Sequence, residues 1–279
     1  MPAFFKINYK DLIREPNGRS WWQSMPLPDG NRVAGAHADV DVQFKLWDSL
    51  CLYTCGLAGK RVLDIGANLG YLTCYLAHLA GPAGEVRAIE PNAFMTALLD
   101  RNVSHNQRGT VVIDRLALGG GDGTAQLWLS GTNLQRHSVH AANVPNPVGT
   151  ETVPQLTADS YWRSHLGQRQ VGLLKLDVEG AERLVLASGP QLLSACRDVW
   201  MEFWPTGIGR DGTDPYECLQ ILVNSGFTLT RWDLVTGESH LVPNILDVKD
   251  IIEDPVRCDE LRKEGLSPLL YLHATRVAR

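Results

Sequence analysis

Val62-Leu63-Asp64-Ile65-Gly66-Ala67-Asn68-Leu69-Gly70 reads as a short buried strand, a glycine turn and the opening of a helix. The strand begins at Arg61 and its apolar residues suit burial on both faces. Gly66 permits backbone angles closed to other residues and lets the chain approach a ligand closely. Gly70 permits tight helix–strand contact. The helix that starts here aims its free N–H groups at whatever lies over the turn, which favours an anionic group such as a carboxylate. Asp64, at the strand end, is placed to accept a hydrogen bond from an ammonium group or from ordered water.

Working outward, Glu85 to Glu90 is the next strand, and it ends in Glu90-Pro91-Asn92. A carboxylate at that tip is placed to accept both hydroxyls of a ribose. The gap from Asp64 to Glu90 fits one strand–helix–strand unit. The glycines are spaced G-x-x-x-G, whereas a dinucleotide site needs G-x-G-x-x-G. An NAD(P)-dependent oxidoreductase is therefore the lesser alternative.

Further strands are expected at 110–114, 171–177, 198–203, 227–232 and 269–274, and helices at 69–79, 93–106, 181–188 and 214–225. Strands alternating with helices imply crossover units and a mostly parallel sheet. The middle of the chain, 115–165, departs from this order. It holds expected strands at 125–129 and 151–156 around a stretch rich in Gly, Asn, Pro and His, and reads as an insertion. Residues 1–35 are closely punctuated by Pro and Gly and read as irregular. Residues 40–57 read as a helix. The division expected is an N-terminal arm or lid over 1–40 and one domain over 41–279.

A second motif, Lys175-Leu176-Asp177-Val178-Glu179-Gly180-Ala181-Glu182, lies at the tip of a later strand. In open α/β sheets ligands lie at that edge. On spacing alone, the alternative is a solvated acidic loop with Glu182 favoured at a helix N-terminus.

The D-x-G-x-N-x-G turn resembles motif I of class I S-adenosylmethionine-dependent methyltransferases, and the K-L-D-V-E-G-A-E run resembles the signature of their FkbM-type family. The likeness spans roughly residues 60–205, and includes Glu90-Pro91-Asn92, Ala117-Leu118-Gly119, Thr157-Ala158-Asp159 and Glu202. The family more often has T-L-D where this chain has Thr157-Ala158-Asp159. The resemblance implies a Rossmann-like fold with a seven-stranded, mostly parallel sheet whose last strand is antiparallel. It also implies S-adenosylmethionine as methyl donor. Family members often methylate hydroxyl groups of small molecules or sugars in natural-product synthesis; N- or carboxyl-methylation of a peptide-like acceptor is the alternative.

The candidate cofactor-binding residues are then Asp64, Gly66, Asn68, Gly70, Glu90, Pro91, Asn92, Ala117 and Asp177. Asp177 is the first candidate beside the methyl group, followed by Glu179 and Glu202, since clustered carboxylates raise one another's pKa and suit a general base. His37 is the preferred candidate among three histidines, ahead of His137 and His140. Lys175 is placed to steady the carboxylates. Trp21, Trp22, Tyr71 and Trp204 are candidates to line an acceptor pocket, Trp204 foremost. The carboxylates could instead hold Mg²⁺, but no further ligand set is visible, so no metal is expected.

Composition narrows the partners. The 279 residues carry a net charge of −5, with 44% hydrophobic and 20% charged residues, which suits a globular protein. An acidic balance argues against a general nucleic-acid binder. The six cysteines form neither a CxxC pair nor a disulfide framework. Cys51 and Cys55 share a helix face without completing a metal site. No stretch approaches the roughly 18 apolar residues of a membrane span, and the start lacks a signal-peptide core. A small-molecule acceptor and a cytoplasmic location are expected. The oligomeric state, a homodimer included, is left open.

Overall fold

The computed structural model describes residues 12–13, 22–26, 32–35, 56–106, 109–131, 136–144, 146–232, 239–254 and 269–276. The stretch 1–35, read as irregular, holds three strands: β1 (Leu12–Ile13), β2 (Trp22–Pro26) and β3 (Arg32–Gly35). They pair antiparallel in the order β1-β2-β3. Strands of two to five residues are too short for alternation to register in the sequence. The helix expected over 40–57 falls largely outside the described residues.

The main sheet contains β4 (Arg61–Ile65), β5 (Glu85–Ile89), β6 (Val111–Asp114), β10 (Val171–Leu176), β11 (Cys196–Phe203), β12 (Thr228–Trp232), β13 (Ser239–Val242) and β14 (Leu270–Thr275), in the order β13-β12-β14-β11-β10-β4-β5-β6. β6, β5, β4, β10 and β11 run parallel. The last strand, β14, is antiparallel to both of its neighbours, β11 and β12. These seven strands match the expected sheet. An eighth, β13, is added at the edge against β12.

Helices cover both faces: α1 (Tyr71–Ala80), α2 (Ala93–His105), α3 (Ala158–Leu166), α4 (Glu182–Ala187), α5 (Pro190–Ala195), α6 (Pro205–Ile208), α7 (Glu217–Asn224) and α8 (Ile245–Ile252). The sheet explains the apolar strands, because its two faces bury separate clusters. Leu63, Ile65, Leu174, Leu176, Met201 and Phe203 pack on one side. Val62, Val86, Ala88, Leu173 and Trp200 pack on the other. Burial of each Val, Leu, Ile, Met or Phe among them contributes about 1.5–3 kcal/mol relative to exposure.

The family-like Thr157-Ala158-Asp159 turns out to be joinery. Thr157 caps α3 by accepting from Ser160 N, while Asp159 accepts from the backbone N–H groups of Gln191 and Leu192 at the start of α5.

The mid-chain insertion forms a second sheet of β7 (Ala117–Leu118), β9 (Pro147–Leu156) and β8 (Gly123–Ser130), in that order. Its loop folds back through a bridge between Trp128 and Ser138 and a short turn over Ala141–Asn143. Glu151 of β9 accepts from Asn92 Nδ2 and Ala93 N at the entry to α2. The insertion is thereby tied to the tip of β5.

Candidate active site

The parallel register places Lys175 of β10 beside Asp64 of β4. Both are buried on the same face. The Lys175 ammonium donates to Gly66 O at 2.7 Å, and lies 3.2 Å from Asp64 Oδ1 and 3.5 Å from Asp177 Oδ2. Burial alone would lower its pKa; Asp64 and Asp177 reverse this and raise it. Thr73 Oγ1 of α1 donates to Asp64 Oδ2 at 2.5 Å. One buried cation therefore joins the glycine turn to the acidic tip of β10.

Gly66 is essential to that approach. Its φ is +78°, and a Cβ there would stand 1.7 Å from the Asp177 carbonyl oxygen. On the other side of the turn, Gly66 N and Ala67 N donate to Ile89 O. The Glu90 carboxyl accepts from Asn68 N through one oxygen and from Asn92 N through the other, each at 2.9 Å. Burial raises its pKa to about 7 against these two hydrogen bonds.

The turn after β10 is folded by a carboxylate of its own. Glu182 Oε1 accepts from Val178 N at 2.9 Å and from Gly180 N at 3.4 Å. Glu179 adopts φ +54° and Gly180 φ +102°. The carboxyls of Asp177, Glu179 and Glu202 then converge, each offering an oxygen within 4.8 Å of the others. Tyr271 Oη of β14 donates to Glu202 Oε1 at 2.9 Å. Burial, and next Asp177, push Glu202 up to about 8. Burial, and next Glu202, raise Glu179 well above the carboxylate range.

These groups face one cavity of about 300 Å³. Of the expected residues, Gly66, Asn68, Glu90, Pro91, Ala117, Asp177, Glu179 and Glu202 line it. Asp64, Gly70 and Asn92 do not. Asp64 is 0% exposed and serves the Lys175 pair. Gly70 makes room for Leu99 of α2, whose Cδ1 a Cβ would meet at 2.4 Å, so the tight contact is with a second helix rather than with a strand. Asn92 caps α2 by accepting from Met95 N. His37 and Trp21 fall outside the described residues, as does the side chain of Trp22. His137 lines the cavity and His140 does not. Burial lowers the His137 pKa, and its Nδ1 accepts from Ser130 N at 3.1 Å.

Trp204 and Tyr71 also line the cavity, and the Arg136 and Arg210 guanidiniums lie 5.9 and 5.8 Å from the Trp204 ring. Sequence reasoning missed Tyr271, Arg136, Ser138 and Asn143. They come from the last strand and the insertion, and no local motif marks them.

The donor set fits an adenosyl sulfonium. The backbone of the Gly66 turn lines the cavity, Glu90 offers a ribose contact, and three carboxyls suit a cationic centre. The same carboxyl spacing would suit a divalent cation, although the Lys175 ammonium already sits behind Asp177.

The raised carboxyl pKa values also set a stability trend. Glu90, Glu182 and Glu202 titrate in the folded chain at about 7, 7 and 8. Their unfolded values lie near 4.3. The stability they contribute is full below that value and is lost as pH rises through 7 to 8. The ligand-free Tm is expected to fall between about pH 5 and 8.5 by more than ~2–4 °C, the shift expected for about 1 kcal/mol in a chain of this size. S-adenosylmethionine should flatten the fall. Scanning calorimetry across this range checks it, and a flat ligand-free curve counts against the burial described.

The model of the FkbM methyltransferase domain matches residues 64–229, more than half of the chain. A search of curated proteins finds no match. Among solved structures, a methyltransferase FkbM from Methylobacillus flagellatus KT is 13% identical, with 81% of this chain and 47% of that chain covered and a TM-score of 0.45. The O-methyltransferase TomG from Streptomyces achromogenes is 12% identical over 87% and 82%, with a TM-score of 0.45. The fibrillarin pre-rRNA processing protein of Methanococcus jannaschii is 12% identical over 92% and 84%, with a TM-score of 0.47. Matched by its family model from the first motif through the second, the chain belongs to the FkbM family of S-adenosylmethionine-dependent methyltransferases.

Proposed function

We propose that the protein transfers the methyl group to a hydroxyl of a small molecule, of the sugar-containing or natural-product kind. The observation that carries this reading is the convergence of Asp177, Glu179 and Glu202 on one cavity beside the Gly66 turn. Bound S-adenosylmethionine supplies a sulfonium methyl already activated for in-line displacement.

The chain's own residues then have to align and deprotonate. Glu90, fixed by two backbone N–H groups, holds the ribose hydroxyls. Asp177, anchored by Lys175, would hold the acceptor in line with the methyl group. Alignment of this kind supplies much of the rate. The Glu202 carboxyl, at about 8, is basic enough to take a hydroxyl proton, and Tyr271 orients it. Glu179 shares that load. With the methyl donor bound, the carboxyl cluster would receive the acceptor's hydroxyl proton as its oxygen takes the methyl group and sulfur keeps the bonding pair. Trp204, with the Arg136 and Arg210 guanidiniums over its ring, forms the acceptor wall.

Incubation with S-adenosylmethionine and a panel of hydroxylated, amine and carboxylic acceptors, read by mass spectrometry, tests the reading. Gain of one methyl group on oxygen supports it. Methylation confined to amines or carboxylates overturns the hydroxyl assignment. On the cofactor side, Glu90→Ala orphans two backbone donors and removes the ribose acceptor. Hydrogen bonds to a charged group contribute about 1.5–3 kcal/mol, so titration calorimetry should register at least a tenfold weaker S-adenosylmethionine affinity. An unchanged affinity would misplace Glu90.

A further inference from the structure

Glu179 is held from outside its own loop. It takes a left-handed backbone without being glycine, a conformation that persists only where surroundings enforce it. Its carbonyl is directed at the insertion, where it accepts from Ser138 Oγ at 2.8 Å and from Asn143 Nδ2 at 3.0 Å. The same Nδ2 donates to Gly207 O at 3.0 Å. Two carbonyl oxygens facing one end of an amide identify that end as the nitrogen.

Asn143 is 3% exposed. Its single amide group ties together three segments: the insertion, the turn after β10 and the α6 segment after β11. Gly180 leaves room for it, since a Cβ at 180 would stand 2.1 Å from Asn143 Nδ2. Ser138 is fixed in turn, with its Oγ accepting from His140 N and its backbone paired to Trp128. Asn143 does not line the cavity, so its influence on the reaction passes through the segments it holds, of which the turn at Glu179 carries a carboxylate.

We propose that Asn143, supported by Ser138, is a positioning residue for methyl transfer: it holds the Glu179 backbone in the conformation that sets the Glu179 carboxyl against Asp177 and Glu202 beside the sulfonium. The inference rests on the reading of that cluster given under the proposed function. It makes the insertion a working part of the site, because the loop between β8 and β9 adds two hydrogen bonds to a turn that Glu182 folds from within.

The test needs no acceptor. S-adenosylmethionine and S-adenosylhomocysteine differ by a methyl group and one positive charge at sulfur, so the ratio of their affinities reads the negative charge placed there. Calorimetric titrations at about pH 8 compare wild type, Asn143→Ala, Glu179→Gln and the double variant. Asn143→Ala should weaken S-adenosylmethionine about fivefold and S-adenosylhomocysteine by no more than about twofold, as expected for displacing one charge at partial burial. Glu179→Gln should lower the ratio similarly, and adding Asn143→Ala to it should lower it no further. Ser138→Ala, which retains the Asn143 bonds, should give a smaller fall in the same direction and serves if Asn143→Ala does not fold. Equal loss for both ligands, or additive losses in the double variant, would assign Asn143 a structural role and overturn the proposal. An unchanged ratio in Glu179→Gln itself would remove the cluster reading, and the proposal with it.

Discussion

Lys175→Met is expected to destabilise the protein by about 3–5 kcal/mol, the range for removing one partner of a buried ion pair. Lys175 is 2% exposed, and its ammonium stands between Asp64, Asp177 and the Gly66 carbonyl. Without it, the Asp64 carboxylate stays buried with the Thr73 hydroxyl on its Oδ2. The cost falls on the uncompensated charge, so Asp64→Asn added to Lys175→Met should recover part of the loss. Urea unfolding followed by circular dichroism measures both. A Lys175→Met loss below about 1 kcal/mol, the ceiling for an exposed pair, would mean the ammonium is not the joint between β4 and β10.

Asp177→Ala is expected to lower methyl transfer about 10²-fold, the loss attributed to misplacing an aligned reacting group. Affinity for S-adenosylmethionine should fall less than about tenfold, because Glu90 and the Gly66 turn persist and Lys175 keeps Asp64. Single-turnover rates on an acceptor recovered by the mass-spectrometric screen give the first quantity, and calorimetry gives the second. Equal, negligible effects of Asp177→Ala and Glu90→Ala would mean the site has been misplaced. The contrast between these two variants separates binding from chemistry.

The parts of this site written into consecutive residues were legible. Gly66, Glu90 and the 175–182 run lie at strand tips, and a parallel sheet brings successive tips to one edge, so their order along the chain predicted their meeting. What each residue does at that edge was less visible. Asp64 looked like a ligand contact because it ends a strand, yet the alternation of the strand turns it inward to Lys175. Gly70 and Asn92 sit in the right motifs but are used for packing and capping. Glu182, read as helix-terminal, folds the turn that carries Glu179.

The fold shows the same division. The core strands were found because their apolar runs are long enough to read. The helices Ala158–Leu166, Pro190–Ala195 and Ile245–Ile252 were missed, as were Ala117–Leu118 and Ser239–Val242. These three helices have six to nine residues, and the missed strands two and four, too few for a period to emerge. The contributions of Tyr271, Ser138 and Asn143 had no local signal. Tyr271 reaches Glu202 only because the last strand inserts beside β11. Asn143 is one polar residue in a loop rich in polar residues until the insertion folds back.

The most direct test of the central claim is a calorimetric titration of the full chain with S-adenosylmethionine and S-adenosylhomocysteine. Saturable one-to-one binding of both, lost or sharply weakened in Glu90→Ala, is the predicted result. Absence of binding to either ligand by the folded wild-type protein would contradict it.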